Sequence, residues 1–176
     1  LSLSFLSSRQ EFYLSNIKWK QFDIKGGLRN EIIDIRNIKS TQILGDYDFD
    51  QLSNDFMSVF LDTRTDTFDD GYFPTRGVNA GVSYDWTFAG YPSKIRDFHI
   101  IHADAKVVAP IFDRLVFIPS VNFRFLLGDE IPVAFFNVVG GSLPGRYIDQ
   151  QMPFIGVTNL SAMKNILTIY RADLRF

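Results

Sequence analysis

Four groupings of side chains in this sequence could do chemistry. His99 and His102 stand three positions apart, the separation at which two imidazoles share one face of a helix and could bind zinc. In an extended segment, positions i and i+3 point to opposite faces, so there the pair cannot converge on a metal. Asp62, Asp66, Asp69 and Asp70 could offer carboxylates to calcium, yet they lack the ordered alternation of a calcium loop and read as solvated acids of a polar turn. A serine hydrolase of the patatin kind needs the elbow Gly-x-Ser-x-Gly. Neither Gly81-Val82-Ser83 nor Gly141-Ser142 completes one. No catalytic residue, cofactor or metal is therefore expected, and the chain is not expected to be an enzyme. The last candidate is Arg146, within Gly140-Gly141-Ser142-Leu143-Pro144-Gly145-Arg146-Tyr147. Its guanidinium could grip a carboxylate through two parallel hydrogen bonds, or it could be a solvated arginine in a Gly-rich turn.

The elements around these residues are strands. Val78, Ala80, Val82, Tyr84, Trp86 and Phe88 fall on one side, with Asn79, Gly81, Ser83, Asp85 and Thr87 on the other. Strict alternation marks a half-buried strand. Its 11 residues are long for a globular strand and suit a tilted crossing of a bilayer, which needs about 9–11. The pattern recurs: Ile101, Ala103, Ala105, Val107 and Ala109 oppose His102, Asp104 and Lys106, up to Pro110. Leu115, Phe117, Val121, Phe123, Phe125 and Leu127 oppose Ser120, Asn122 and Arg124, with Pro119 suggesting a bulge. Ile166, Tyr170, Ala172, Leu174 and Phe176 oppose Arg171, Asp173 and Arg175. The first third is less regular. Leu3, Phe5 and Leu6 suggest a strand, Ile17 to Ile24 alternates with a change of phase that suggests a bulge, and Gly26-Gly27 permits a bend before Leu28 to Ile35. Arg36 to Ser53 reads as a long polar loop, and Phe56 to Leu61 as a strand entering the Asp62 turn.

Composition bounds the reading. The 176 residues amount to one domain, expected to run over 1–176. No apolar run approaches a membrane helix of about 20 residues, so any crossing must be made by strands. The 18 basic residues are scattered and nearly balanced by 20 acidic ones, so no nucleic-acid partner is expected. With no cysteine, disulfides and thiol chemistry are excluded. The expected fold is all-β: an antiparallel up-and-down transmembrane barrel, or a fragment of one, of about eight strands. A soluble β-sandwich would show the same alternation with its polar face turned to water. Strand length and an aromatic content of 15% favour the barrel.

Asp62-Thr63-Arg64 followed by Tyr72-Phe73-Pro74-Thr75-Arg76-Gly77 resembles the periplasmic hairpin of the bacterial surface antigen family. Its members include outer-membrane assembly factors, two-partner secretion transporters and barrel-bearing patatin-like phospholipases. Within that resemblance Asp62, Arg64, Phe73, Pro74 and Gly77 carry the hairpin motif. Pro74 lies outside the ladder because it has no N–H, and Gly77 supplies a positive φ. The resemblance extends from Asp62 to Phe176. It implies that the non-alternating stretch 128–163 is a loop folded toward the barrel interior, with Gly140, Gly141, Gly145, Arg146 and Tyr147 as its lumen motif. The order Gly145-Arg146-Tyr147 departs from the family's Arg-Gly-aromatic tip. Asp173, Asp104 and Asp85 are the lumen-facing carboxylates on which Arg146 could dock. Ile148 to Gly156 looks most like the barrels of patatin-like phospholipases of the Bacteroidetes type.

The resemblance implies a barrel of the bacterial outer membrane that anchors an attached periplasmic or surface module such as a patatin-like lipase, and it allows translocation of that module. Its implied partners are outer-membrane lipid, the assembly machinery and the attached or secreted module; a homo-oligomer is allowed. A stand-alone small pore and a soluble interaction module are the alternatives. The start at Leu1, with neither Met nor a secretion signal, is expected of a piece of a longer protein. Terminal Phe176 resembles the signal read by the assembly machinery and could equally be a boundary.

Overall fold

The computed structural model describes residues 3–38, 53–91, 96–112, 114–139, 151–152 and 162–176. Six long strands follow one another: β1 (Leu3–Trp19), β2 (Phe22–Ile38), β3 (Ser53–Asp66), β4 (Gly77–Tyr91), β5 (Phe98–Phe112) and β6 (Leu115–Leu127). A 3-10 turn (Val133–Phe135) and three short strands come next: β7 (Asn137–Val139), β8 (Gln151–Met152) and β9 (Ala162–Lys164). The described chain closes with β10 (Ile166–Arg175). The long strands and β10 form one sheet in the order β1-β2-β3-β4-β5-β6-β10, every neighbour antiparallel. β7 pairs in parallel with β8 and antiparallel with β9 in a small second sheet.

The first six strands are 13 to 17 residues long, enough to cross a bilayer at a tilt with residues to spare. The connections alternate between the two ends. Lys20-Gln21 and 113–114 are the short ones, with the 67–76 hairpin at the same end; 39–52, 92–97 and 128–165 are at the other. Short turns mark the periplasmic end of such a barrel and long loops its outer end.

The two faces differ as the alternation predicts. On β4, Asp85 and Thr87 are buried while Val82, Tyr84, Trp86 and Phe88 are exposed. On β10, Tyr170 and Leu174 are likewise exposed apolar groups. A surface so rich in apolar side chains, opposite a buried polar one, is a surface for lipid. Lys in place of Val82 or Tyr84 is expected to cost about 2–4 kcal/mol near the midplane. Spin labels at Val82 and Tyr170 should be quenched by a lipid-soluble relaxant, and labels at Asp85 by a water-soluble one. Equal quenching on both faces would contradict the assignment.

Several local expectations change. Ile17 to Ile24 is not one bulged strand: a register shift between Leu14 and Ile17, where Asn16 takes a positive φ, precedes a tight turn at Lys20-Gln21, where Lys20 takes one. β2 continues straight through Gly26-Gly27. β3 carries the chain to Asp66, so Asp62 and Arg64 belong to the ladder rather than to the turn. β5 passes through Pro110 to Phe112, with its irregularity between those two residues. Pro119 pairs opposite Ala172 in an unshifted ladder, so no bulge forms between β6 and β10 there.

Candidate functional site

The site is the inner face of this wall, where side chains from successive strands are brought together by the pleat. Its centre is a chain of charges. Glu11 on β1 accepts from Lys25 Nζ and from Arg29 Nε on β2, both at 2.9 Å. The other arm of Arg29 donates to Asp85 on β4, spanning β3 to do so. Its guanidinium lies over the Phe60 ring of β3, 4.5 Å from the centroid, which supplies an aromatic floor for that reach. Above this, Arg9 donates to Glu31 at 3.0 Å; below it, Arg64 on β3 reaches Asp104 on β5 at 3.0 Å.

That last pair needs Gly81. Arg64, Gly81 and Asp104 stand in line across three strands, and a Cβ at Gly81 would lie 3.1 Å from the guanidinium. The missing side chain therefore lets the two ions meet across β4. These groups, with Arg124, border a polar cavity of about 460 Å³.

The outer end of the inner face is apolar and covered. Ile33, Phe56, Phe98, Ile100 and Leu126 form a buried cluster with Ile131 and Phe135 of the segment following β6. Phe135 meets Phe56 and Phe98 edge-on, with centroids 4.8 and 4.9 Å away. The segment is fastened by Arg124, whose Nη1 donates to the Phe135 carbonyl at 2.8 Å and to Asn137 Oδ1 at 2.5 Å. Asn137, fully buried, donates in turn to the carbonyls of Arg124 and Asn165. Burial of an amide is unfavourable unless it is bonded, and here three hydrogen bonds, shared between Arg124 and Asn165, satisfy it. The stretch 128–163, expected to lack regular structure, therefore contains a 3-10 turn and short strands in its described part.

At the other end, the hairpin between β3 and β4 is held by its acids, which are exposed as expected and also accept hydrogen bonds from the turn. Asp66 accepts from Phe68 N and Asn79 Nδ2, and Asp70 from the backbone N–H groups of Tyr72 and Phe73. Asp69 accepts from Thr75 N, Thr75 Oγ1 and Arg76 N. Gly77 takes φ +123° as the chain re-enters β4. The Thr75 hydroxyl, then the N–H groups of Arg76 and Thr75, hold the Asp69 carboxyl down to about 2; those of Phe73 and Tyr72 lower Asp70. A depressed carboxyl stabilises above its unfolded value and loses that contribution as pH falls through the folded one. The amide resonances of Thr75 and Arg76 are thus expected to titrate together with a midpoint at about pH 2. A midpoint at an ordinary carboxyl value would show these bonds to be absent.

Asp85, Asp104 and Asp173 are all on the inner face, and each already has a cationic partner: Arg29, Arg64 and Arg171. Asp62 lines the central cavity, as does Ser83. Phe73 is exposed at the hairpin tip, and Pro74 is buried with its carbonyl accepting from Arg175. Gly140, Gly141, Ser142, Gly145, Arg146 and Tyr147 lie outside the described residues. His99 and His102 are on opposite faces as expected: His99 stacks on Tyr84 and shares a 2.8 Å hydrogen bond with its hydroxyl, and His102 meets Asn122. Among the described residues no group of three His, Cys, Asp or Glu is placed to hold a metal.

Sequence reading missed the contribution of β1 and β2 and the role of Asn137. The signal for the latter was available: a lone amide inside the apolar run Val133 to Val139 must find partners if that run is buried.

A long-stranded antiparallel wall, lipid-facing outside and ionic inside, defines a transmembrane β-barrel protein. The chain belongs to the OMP85 superfamily, whose family model matches residues 1–176, so the first sixty residues share in a likeness that the motifs alone placed from Asp62 onward. No curated protein matches the chain. It is thus a bacterial outer-membrane β-barrel protein of a superfamily that serves assembly or secretion with partners of the outer membrane.

Proposed function

We propose that this barrel anchors an attached periplasmic or surface module, such as a patatin-like lipase, in the outer membrane and takes part in carrying it across. The observation that carries the reading is the segment Ile131 to Val139 seated against the inner face by Phe135 and the Arg124–Asn137 bonds. An open solute pore has no use for such a segment, whereas a conduit opened only for its cargo does. The likeness of Ile148 to Gly156 to phospholipase-associated barrels supports the lipase as the module. In this reading Arg146 docks on a lumen carboxylate, sharing Asp85, Asp104 or Asp173 with the cation already bound there.

The test is made on the full-length gene product in cells. Arg146→Ala is expected to reduce protease-accessible module at the cell surface several-fold. Arg146→Lys should fail nearly as badly, because a point charge does not reproduce the planar fork. Double-mutant cycles with Asp173→Asn and Asp104→Asn identify the partner. A native product that carries no second module, or a module whose surface exposure is indifferent to Arg146, would defeat the proposal.

A further inference from the structure

We propose that the β3–β4 hairpin is a rigid flap latched over the periplasmic end of the inner face. Its consequence for cargo rests on reading the barrel as a conduit; the closure itself does not.

Three apolar side chains at the lower end of the inner face, Val108, Val116 and Ile118, would meet water if the wall stood alone. They are buried because Phe68, the first aromatic residue of the hairpin, packs over them. A second contact lies farther across. Arg175, on β10, donates to the carbonyl of Pro74. β10 is three positions from β4 in the sheet, and neighbouring strands are about 4.8 Å apart. The hairpin head and the Arg175 side chain together therefore span about 15 Å along the end of the inner face, instead of the head projecting straight beyond the ladder.

The head is stiff and its base is bent to a fixed angle. Asp69 and Asp70 gather five hydrogen bonds from within the hairpin. At the base, Thr67 N donates to the Val78 carbonyl at 2.9 Å, and Val78 N donates to Thr67 Oγ1 at 2.9 Å. Gly77 takes its positive φ there with no space for a side chain: a Cβ would stand 2.4 Å from the Thr67 carbonyl oxygen. Between head and wall lies a cavity of about 580 Å³, bordered by Phe73, Thr75, Pro110, Phe112 and Arg175. The head is thus held by two latches, Phe68 and the Pro74 carbonyl, with open space between them. Such an element can release as a unit without disturbing the ladder.

The chain has no cysteine, so a single thiol can report the closure. The full chain carrying Val108→Cys, in nanodiscs, is treated with a water-soluble maleimide, and Tyr72→Cys at the exposed tip gives the unprotected rate. Val108→Cys is expected to react about 100-fold more slowly than Tyr72→Cys. Adding Phe68→Ala or Arg175→Ala should speed it about tenfold or more, whereas Arg175→Lys, which can still donate to the carbonyl, should leave it nearly unchanged. Heat-modifiable gel mobility confirms that each variant is folded; should Phe68→Ala not fold, Arg175→Ala decides alone. A Val108 thiol as reactive as that at Tyr72 would overturn the flap, and so would protection that neither substitution relieves. Labelling requires no cargo, so the flap can stand if the attached-module reading falls, and the reverse.

Discussion

Arg29→Ala is expected to destabilise the folded barrel by about 3–5 kcal/mol, the effect of stripping one partner from a buried ionic pair. Arg29 is bonded at once to Glu11 and Asp85, three strands apart, and its side chain is 19% exposed. Removing it leaves Asp85 in a polar but largely enclosed site, without the guanidinium that touched it, while Glu11 keeps Lys25. Arg29→Lys should recover only part of the loss, because one ammonium cannot form the two divergent contacts of a planar fork. Adding Asp85→Asn to Arg29→Ala should restore stability relative to the sum of the single changes, since the uncompensated charge is then gone. Heat-modifiable mobility in a denaturant series measures all four. A strictly additive double variant would mean that the two groups do not interact.

The second large effect is expected at Arg124. Arg124→Ala leaves the Phe135 carbonyl and Asn137 Oδ1 without this buried donor, at a cost of about 2–5 kcal/mol. Its signature differs from that of Arg29. The loss falls on the segment bearing Ile131 and Phe135, whose seat on the inner face depends on the Asn137 bonds, while the pairing of β1 to β6 with one another does not run through it. Limited proteolysis should therefore cut near 128–139 in the variant under conditions where the wall still migrates as a folded barrel. Simultaneous loss of both would show the segment to be a structural part of the wall.

The parts legible in the sequence were those where lipid and a polar lumen act on opposite faces of the same strand. β4 is the clearest case: Val82, Tyr84 and Trp86 go out, Asp85 and Thr87 go in, and the register is fixed by that contrast. β1 and β2 defeated the same reasoning. At 17 residues each, they exceed the length that hydrocarbon can constrain, and Ser8 and Gln10 on β1 are exposed on the face that carries Phe12 and Leu14. The contrast is then lost just where Arg9, Glu11, Arg29 and Glu31 supply the inner network. Inward apolar residues such as Phe56 and Phe98 were illegible for another reason. Their cover, Phe135, comes from a segment remote in sequence, and alternation records only which face a residue takes, not what is laid upon it. Asp69 and Asp70 are exposed, and their part in holding the turn was illegible because hydrogen bonds to backbone N–H groups leave no mark in residue type.

The unequal connections at the two ends set where this chain can grow. At one end, Lys20-Gln21 and 113–114 close their hairpins with almost nothing to spare, and the third connection commits its backbone N–H groups to Asp69 and its Pro74 carbonyl to Arg175. An inserted peptide there would break a turn or unseat a bonded head. At the other end, the intervals 39–52 and 153–161 separate strands in the sequence, and the entropic cost of lengthening a loop grows only logarithmically. Divergence among copies of this gene should accordingly accumulate as insertions and deletions on the face that meets the outside world, while the opposite rim changes by substitution alone. For anyone displaying a foreign epitope on this scaffold, that is the difference between a tolerant edge and a forbidden one.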